Sequence, residues 1–456
     1  MRFGWELRRS AWHFALRRNS AGDAAWTSRP FPDIAGPMMQ EAKKQPERQI
    51  EQLVVERMGH RGDGVASTPI GPIFVPYALP GERVEAELKG DRGEIISILD
   101  PSPDRIEPVC PHFGTCGGCA VQHWQTDKYR AWKRDLVVAA LSQAGVDAQV
   151  DNLIDAHGEG RRRAVLHARR GGRKILVVGF TGRRSHHVVP IDQCPIFAPP
   201  LEHALAIAWK LAEPLKPGGK ALDLQFTATD GGLDVDIRGS GPLAPDTIEA
   251  LARVAREERL ARLTRHGELV VQLAEPVVKI GKAAVIPPAG GFLQATAAGE
   301  AALAKLVTEA VGNARRVVDL FCGIGTFALR LAETAQTLAV DEDAEAIAAL
   351  KRAAGAPGLK PIEARVRDLF RSPLTAGEIV PSKVVVLDPP RQGAEAQVRE
   401  LTISGATRIV YVSCNPATFA RDARILTSAG FKLGRVVPID QFRYSAHVEL
   451  VGIFDR

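Results

Sequence analysis

The stretch that decides the fold is VVDLFCGIGTFALRLA, residues 317–332, where an apolar run, a glycine-rich turn and a second apolar run follow one another. The first run predicts a buried strand, and the second predicts a helix. Gly323 and Gly325 let the backbone approach a ligand closely at the start of that helix. The spacing D-x-F-x-G-x-G-x-F differs from the dinucleotide-binding pattern G-x-G-x-x-G.

The same alternation continues from residue 286 to the C-terminus, where Ala-rich helical segments separate the apolar runs RRVVDLF, TLAVDE, KVVVLDPP and RIVYVSC. Continuous apolar strands joined by helices predict an α/β fold with a doubly wound, mostly parallel sheet. Asp341 ends the strand after the glycine turn, and Asp388 ends a later one. An acid at such a strand end can accept ribose hydroxyls, so the pattern predicts a nucleoside cofactor.

Two residues near this edge are candidate catalytic groups. Cys414, in SCNP, follows a buried strand on the predicted cofactor side, which favours a nucleophile over an inert packing cysteine. Glu449, in HVEL, stands inside an apolar strand, where a glutamate is rare without a function. We interpret it as a base near the cysteine; the alternative is a water-facing edge residue.

A cysteine, a carboxylate and a methyl donor form a coherent set for methylating C5 of uracil. Addition of a thiolate to C6 makes C5 nucleophilic, so that it can attack a methyl sulfonium. A carboxylate then takes the C5 proton, and elimination of the cysteine restores the base.

Four further cysteines form a candidate metal site. Cys110, Cys116 and Cys119 lie in CPHFGTCGGC, and Cys194 lies in DQCPI. Four thiolates fit a structural zinc or an iron–sulfur cluster, and ligand identity alone leaves both open. The expected role is in folding and substrate binding rather than in redox turnover.

The first half of the chain predicts two smaller units. Short β-like runs at 46–104 predict an OB-like barrel, and residues 105–285 predict a central cysteine-containing β domain. Residues 286–456 form the predicted catalytic domain. Residues 1–45 are predicted to be a disordered extension.

The excess of basic over acidic residues is concentrated in one segment of the sequence. The net charge is +6, yet residues 161–187 alone carry nine Lys and Arg and no acid. The segment predicts a hairpin around Gly171 and Gly172, and like charges at this density favour contact with a phosphate backbone over a solvated face. Charge reversal at 161–163 is therefore expected to weaken RNA binding.

Apolar residues at 45% and charged residues at 25% exclude a fibrous or disordered chain. The absence of a secretory signal or a long apolar run predicts a cytoplasmic protein.

Taken together, these motifs resemble the RNA (uracil-5-)-methyltransferase family, specifically its 23S rRNA branch. The resemblance covers about residues 46–456 and rests on CPHFGTCGGC, DQCPI, GFLQAT, DLFCGIGTF, LDPPRQG, SCNP and HVEL. It implies a class I methyltransferase fold, a TRAM barrel at the N-terminus, S-adenosylmethionine as cofactor and a [4Fe-4S] cluster on the cysteine quartet.

The resemblance also assigns residues. It implies that Cys414 is the nucleophile, that Glu449 is the proton acceptor, and that six positions bind the cofactor: Gln294, Phe321, Thr326, Asp341, Asp368 and Asp388. The implied partner is RNA, most directly 23S rRNA. We expect the protein to be a monomer and to have no membrane partner. Three alternatives remain: a tRNA uridine substrate, a cytosine-5 methyltransferase, and a non-catalytic RNA-binding protein of ribosome assembly.

Overall fold

The computed structural model describes residues 49–171, 175–380 and 382–456, which form three large β-sheets and one two-stranded sheet. The extension predicted at 1–45 lies outside the described residues. So do Arg173 and Lys174 of the basic segment.

The first sheet occupies the region of the predicted barrel. Its six strands are almost all antiparallel, in the order β1-β5-β6-β4-β3-β2. Its strands are β1 (Gln49–Val54), β2 (Arg57–Met58), β3 (Asp63–Thr68), β4 (Gly71–Pro76), β5 (Arg83–Lys89) and β6 (Arg92–Asp100). Alternating apolar side chains of these strands form a separate small core. The prediction of β structure is correct here, and closure into an OB-like barrel stays a prediction.

The next segment contributes to the last sheet. It contains α1 (Thr126–Gln143), β7 (Gln149–Val150) and β8 (Ile154–Asp155). The two short strands join the C-terminal sheet, and α1 packs on that sheet's final helix. The predicted central domain 105–285 therefore supplies part of the C-terminal layer, and the chain is less cleanly divided at residue 286 than the sequence pattern indicates.

The second sheet has seven strands, and the predicted basic hairpin lies at one side of it. Its strands are β9 (Arg163–Arg170), β10 (Leu176–Thr181), β11 (Val188–Pro190), β12 (Leu222–Thr229), β13 (Gly232–Arg238), β14 (Arg262–Arg265) and β15 (Glu268–Gln272). The helices α2 (Ala204–Leu215) and α3 (Pro245–Glu257) share its apolar core, and a two-stranded sheet follows, β16 (Val278–Ile280) and β17 (Ala283–Val285). β9 and β10 pair antiparallel as predicted.

The third sheet confirms the predicted doubly wound fold. β20, β19, β18, β21 and β22 run parallel, and β24 and β23 extend the sheet antiparallel. Its strands in chain order are β18 (Arg316–Leu320), β19 (Gln336–Asp341), β20 (Ile362–Val366), β21 (Val384–Leu387), β22 (Arg408–Ser413), β23 (Lys432–Asp440) and β24 (Glu449–Asp455). The helices are α4 (Ala297–Val311), α5 (Ala328–Leu331), α6 (Ala344–Ala353), α7 (Ala376–Ile379), α8 (Glu395–Thr402) and α9 (Pro416–Ser428). Helices bury both faces, which explains the continuously apolar strands. No helix among the described residues is long and apolar enough to cross a membrane.

Asp63 joins the first sheet to the end of the basic hairpin. Its carboxylate is 2% exposed and lies 2.6 Å from the guanidinium nitrogens of both Arg183 and Arg184. Arg183 also lies over the ring of Tyr77, with 5.2 Å between the guanidinium carbon and the ring centroid. A buried carboxylate shared by two arginines holds the two units together as long as all the partners are present.

We therefore predict that Asp63→Asn lowers the free energy of unfolding by about 2–4 kcal/mol, because two arginines lose their counter-charge. The measurement is urea unfolding of the full chain. The control is Asp100→Asn, whose partner Arg83 and own side chain are both at least half exposed, and we expect a loss below about 1 kcal/mol. Equal losses in the two variants would contradict the role given to Asp63.

Candidate active site

A cavity opens at the carboxyl edge of the parallel strands, where the strand order reverses. The chain leaves β18 for β19 and β20 on one side, then returns to β21 and β22 on the other. Doubly wound sheets bind ligands in the crevice at such a switch point. The cavity here has a volume of about 490 Å³.

Seven of the eight residues predicted for cofactor binding and catalysis line this one cavity. They are Gln294, Phe321, Thr326, Asp341, Asp388, Cys414 and Glu449. Strand ends explain the convergence: Phe321 follows β18, Asp341 ends β19, Asp388 follows β21 and Cys414 follows β22.

Asp368 is the exception, and the structure gives it another place. Its carboxylate accepts the backbone N–H groups of Phe370 at 2.9 Å and Arg371 at 3.1 Å, which closes a turn. Phe370 lines the cavity instead and packs on Phe321, with ring centroids 5.3 Å apart. The cofactor role of Asp368 stays a prediction, and the loop to which it belongs contributes Phe370 to the cavity.

The glycine turn bends tightly around the cavity. Gly323 and Gly325 have φ of 54° and 94°, and a Cβ on Gly325 would lie 2.5 Å from Leu350. Phe321 has φ of 61°, a strained value for a bulky residue and one that occurs often at ligand sites. The Gly323 N–H donates to the Asp341 carboxylate at 2.8 Å, which fixes the turn against the next strand.

Strand pairing brings the two candidate catalytic residues together. β24 runs antiparallel between β22 and β23, with Ser413 opposite Leu450. The next residue beyond β22 is Cys414, and the preceding position on β24 is Glu449. Both therefore reach the same edge of the sheet, although the chain between them is 34 residues long.

A chain of amide side chains connects the acids of the cavity. Gln441 is fully buried and donates to Gln294 Oε1 at 2.7 Å, and Gln294 Nε2 donates to Asp388 at 3.3 Å. Gln441 also hydrogen-bonds the side chain of Glu449. These contacts orient both carboxyl groups, and no local pattern around Gln441 indicates its role.

Burial and mutual repulsion raise the pKa values of the acidic groups. Burial, then the charge of Asp388, raises the pKa of Glu449 to about 8. Burial, then the charge of Asp341, raises the pKa of Asp388 to about 7. Burial, then the nearby carboxylates, raises the pKa of Cys414 to about 11. The cavity therefore disfavours negative charge unless a cation is brought into it.

Arg391 is a cationic side chain of the cavity that opposes this effect. It follows the two prolines after Asp388, lines the cavity and lowers the pKa values of Cys414 and Glu449 by its charge. Its guanidinium lies 3.2 Å from Nε2 of His447, whose pKa burial lowers to about 4. The quoted motif LDPPRQG contains this arginine, so its position after a strand end could have identified it.

The four cysteines of the quartet line a second cavity, of about 390 Å³. Burial raises the pKa of Cys119 to about 11 and that of Cys194 to about 12. All the cysteines in the described part of the chain are free. Within that part, no group of three or more His, Cys, Asp or Glu side chains is arranged to hold a metal ion. A metal on the quartet stays a prediction.

The basic hairpin needs a correction. At least five of its seven described cationic residues make contacts inside the protein, so a hairpin of nine free charges is wrong. Arg183 and Arg184 bind Asp63, Arg162 pairs with the buried Glu300, Arg163 donates to the Leu293 carbonyl, and Arg161 lies over Phe442. Charge reversal at 161–163 would thus disturb internal packing, whether or not RNA contacts the hairpin.

Comparison with known proteins agrees with the geometry of the cavity. The profile of the tRNA (uracil-5-)-methyltransferase family matches residues 366–456, and that of the methyltransferase small domain matches residues 294–409. An uncharacterized RNA methyltransferase of Caulobacter vibrioides is 47% identical over 415 residues, covering 89% of this chain and 100% of that protein. The 23S rRNA (uracil(1939)-C(5))-methyltransferase RlmD of Vibrio parahaemolyticus is 31% identical over 425 residues, covering 88% and 95%.

A solved structure has the same fold. The tRNA (uracil-54, C5)-methyltransferase of Pyrococcus abyssi, in complex with S-adenosyl-L-homocysteine, superposes with a TM-score of 0.70. The match covers 88% of this chain and 99% of that one at 22% sequence identity.

The raised pKa of Glu449 predicts a pH-dependent stability difference. The folded chain binds this proton more tightly than the unfolded chain, whose ordinary value is 4.5. Its contribution is therefore present at low pH and is lost as the pH rises through about 8. As the pH rises from about 5 to about 9, the free energy of unfolding of Glu449→Gln should increase by a few kcal/mol relative to that of wild type, at about 1.4 kcal/mol per pKa unit.

The measurement is thermal unfolding of both proteins across that pH range. Glu309→Gln is the control, because its side chain is more than half exposed on α4 and its charge stays in water. A stability difference for Glu449→Gln that stays constant with pH would contradict the burial effect.

Proposed function

The chain belongs to the RNA uracil-5-methyltransferase family, whose members use S-adenosylmethionine, and on that premise we propose that it methylates C5 of a uridine in 23S rRNA through a covalent cysteine adduct. One observation carries the proposal. Cys414 and Glu449 meet at paired strand ends, in the same cavity as the glycine turn and Asp341.

The proposed roles follow from position and chemistry. Cys414 adds to C6 of the uracil, which makes C5 nucleophilic. S-adenosylmethionine supplies the electrophilic methyl group when it is bound. Glu449 accepts the C5 proton, and the bond between Cys414 and C6 then breaks to restore the base. A pKa near 8 keeps most of Glu449 protonated at neutral pH, and a cation bound in the cavity lowers this pKa toward the range of a working proton acceptor.

The cofactor positions fit an adenosine-containing cation. Asp341 ends β19 at the position where an acid can accept ribose hydroxyls, and Phe321 and Phe370 offer apolar surface beside it. Asp388 adds a carboxyl group to the same cavity, and its orientation is held by Gln294, which Gln441 holds in turn. A positive charge among these acids lowers their pKa values and that of Cys414.

The choice of 23S rRNA over tRNA rests on similarity along the full length. The relative named for a 23S rRNA uracil is 31% identical over 95% of its own length. The solved tRNA enzyme is 22% identical and supports the fold alone. A tRNA uridine is the second candidate.

We also propose that the quartet Cys110, Cys116, Cys119 and Cys194 holds a [4Fe-4S] cluster. The four thiols line one cavity together with the half-buried Arg161, whose Nε is buried and lacks a hydrogen-bond partner. The charge of Arg161 interacts with Cys119 and Cys194. A cation that faces thiols and has one unsatisfied buried N–H fits an anionic thiolate-bound group, and such a group would join the cysteine segment to the end of the hairpin.

We predict that Cys414→Ala lowers methyl transfer from labelled S-adenosylmethionine to unmodified 23S rRNA transcript by about a thousandfold or more. The control is Cys322→Ala, which removes the other cysteine of the cavity and should keep most of the activity, because Cys322 packs in an apolar core and its thiol hydrogen-bonds within its own turn. A tRNA transcript is assayed in parallel. Equal activity of wild type and Cys414→Ala would exclude the mechanism, and methylation of tRNA alone would exclude the rRNA substrate.

The same assay separates the two catalytic roles. Glu449→Gln should accumulate RNA adduct that resists denaturing gel electrophoresis, because addition proceeds while proton removal is blocked. Cys414→Ala should form none. Equal adduct levels in wild type and Glu449→Gln would contradict the role of Glu449.

For the cluster, we predict that anaerobically purified protein contains iron and acid-labile sulfide in equal amounts, and that Cys119→Ser loses both. Cys322→Ser is the matched control and should retain them, since its thiol is outside the quartet. Zinc without sulfide in the wild type would replace the cluster by a structural zinc site.

A further inference from the structure

The loop between β23 and β24, residues 441–448, borders both cavities. Phe442 lines the cysteine cavity and the active-site cavity, and His447 lines the latter. The two rings pack edge to face, with centroids 5.8 Å apart. Glu449 directly follows the loop, so the conformation of the loop helps to determine the position of the Glu449 carboxyl group.

A buried ionic network holds this loop from behind. The Asp440 carboxylate accepts from Lys133 Nζ and from the Tyr129 hydroxyl, each at 2.5 Å. It also accepts from the backbone N–H of Phe442 at 3.1 Å, and Lys133 donates to the carbonyl of the same residue at 3.1 Å. Lys133 is fully buried, and Asp440 is 2% exposed.

Tyr129 extends the network to the middle of the loop. Its hydroxyl accepts from the Tyr444 backbone N–H at 2.9 Å. Tyr444 has φ of 64°, a strained backbone conformation that persists only where the surroundings hold it. The Tyr444 carbonyl accepts from Ala120 and Val121, which directly follow Cys119.

Stability alone does not account for this arrangement. Taking a lysine and an aspartate out of water costs several kcal/mol per ion, and an apolar pair of the same volume is often as stable or more so. The network instead specifies one loop conformation, because each donor and acceptor is tied to a named backbone atom of residues 442–444. Neither Lys133 nor Tyr129 lines either of the two cavities.

We propose that Tyr129, Lys133 and Asp440 are positioning residues for the target uridine, acting through the loop and Phe442. The proposal rests on the proposed function and adds to it the residues that shape the RNA side of the site. Single-stranded bases are recognised by stacking on aromatic side chains, and Phe442, with the Arg161 guanidinium over one face of its ring, lines both cavities. Loss of the network loosens that ring and leaves the cofactor side intact.

The test compares two buried tyrosines. Tyr129→Phe removes the hydroxyl that joins Asp440 to Tyr444. Tyr411→Phe is the matched control. Tyr411 lies on β22, and its hydroxyl donates to the buried Asp422 at 2.6 Å rather than to a residue of the loop 441–448. Melting temperature, kcat and the KM values for RNA and for S-adenosylmethionine are measured for both, on the RNA that the wild type methylates.

We expect Tyr129→Phe to raise the KM for RNA by about tenfold and to leave the KM for S-adenosylmethionine unchanged. Tyr411→Phe should lower the melting temperature by a similar amount and leave both KM values unchanged. Phe442→Leu should also raise the KM for RNA, and adding Tyr129→Phe to it should raise that KM little further.

Three other results would each contradict a different part of the proposal. Equal RNA KM values for Tyr129→Phe and Tyr411→Phe would overturn the positioning role while leaving the proposed function intact. Full additivity of Tyr129→Phe and Phe442→Leu would exclude action through Phe442. A wild type that methylates no uridine in rRNA or tRNA would overturn the proposed function and this proposal with it.

Discussion

The candidate site depends on the insertion of one antiparallel strand, β24, between β22 and β23. A parallel sheet alone brings strand ends to its carboxyl edge, and β18, β19, β21 and β22 supply Phe321, Asp341, Asp388 and Cys414 in this way. An antiparallel neighbour brings the start of a strand to the same edge. Glu449 reaches Cys414 for this reason, and a one-residue shift in register would turn it to the opposite face.

The contacts that join the sheets use buried charge. Arg162 reaches the buried Glu300 on α4, and Arg330 shares the same carboxylate at 2.7 Å. Asp63 does the same for Arg183 and Arg184 at the other end of the hairpin. Removing one partner from such a set leaves a charge uncompensated in a low-dielectric environment, so these contacts make the arrangement of the sheets specific.

How much the sequence predicts depends on how local the information is. The glycine turn, the strand-end acids and Cys414 are each encoded by their immediate neighbours, and the doubly wound sheet follows from the apolar strands. Gln441, by contrast, acquires its role largely from Gln294, which lies 147 positions away in the sequence. The hairpin arginines show the opposite error: local composition gives nine like charges, and at least five of them have partners elsewhere in the chain. These partners are the carboxylates of Asp63 and Glu300, a backbone carbonyl oxygen and the ring of Phe442.

The electrostatics of the cavity connect binding with chemistry. Asp319 is fully buried close enough to Asp388 and Asp341 to interact with their charges, and burial, then the charge of Asp388, raises its pKa. The pKa values of Asp341, Asp388 and Glu449 are raised as well. Groups with suppressed ionisation respond strongly to a nearby cation, because it removes part of the repulsion that each acid exerts on the others. A cationic ligand in this cavity therefore favours the Cys414 thiolate and the Glu449 carboxylate together, so that the proposed nucleophile and the proposed proton acceptor are activated when the ligand fills the site.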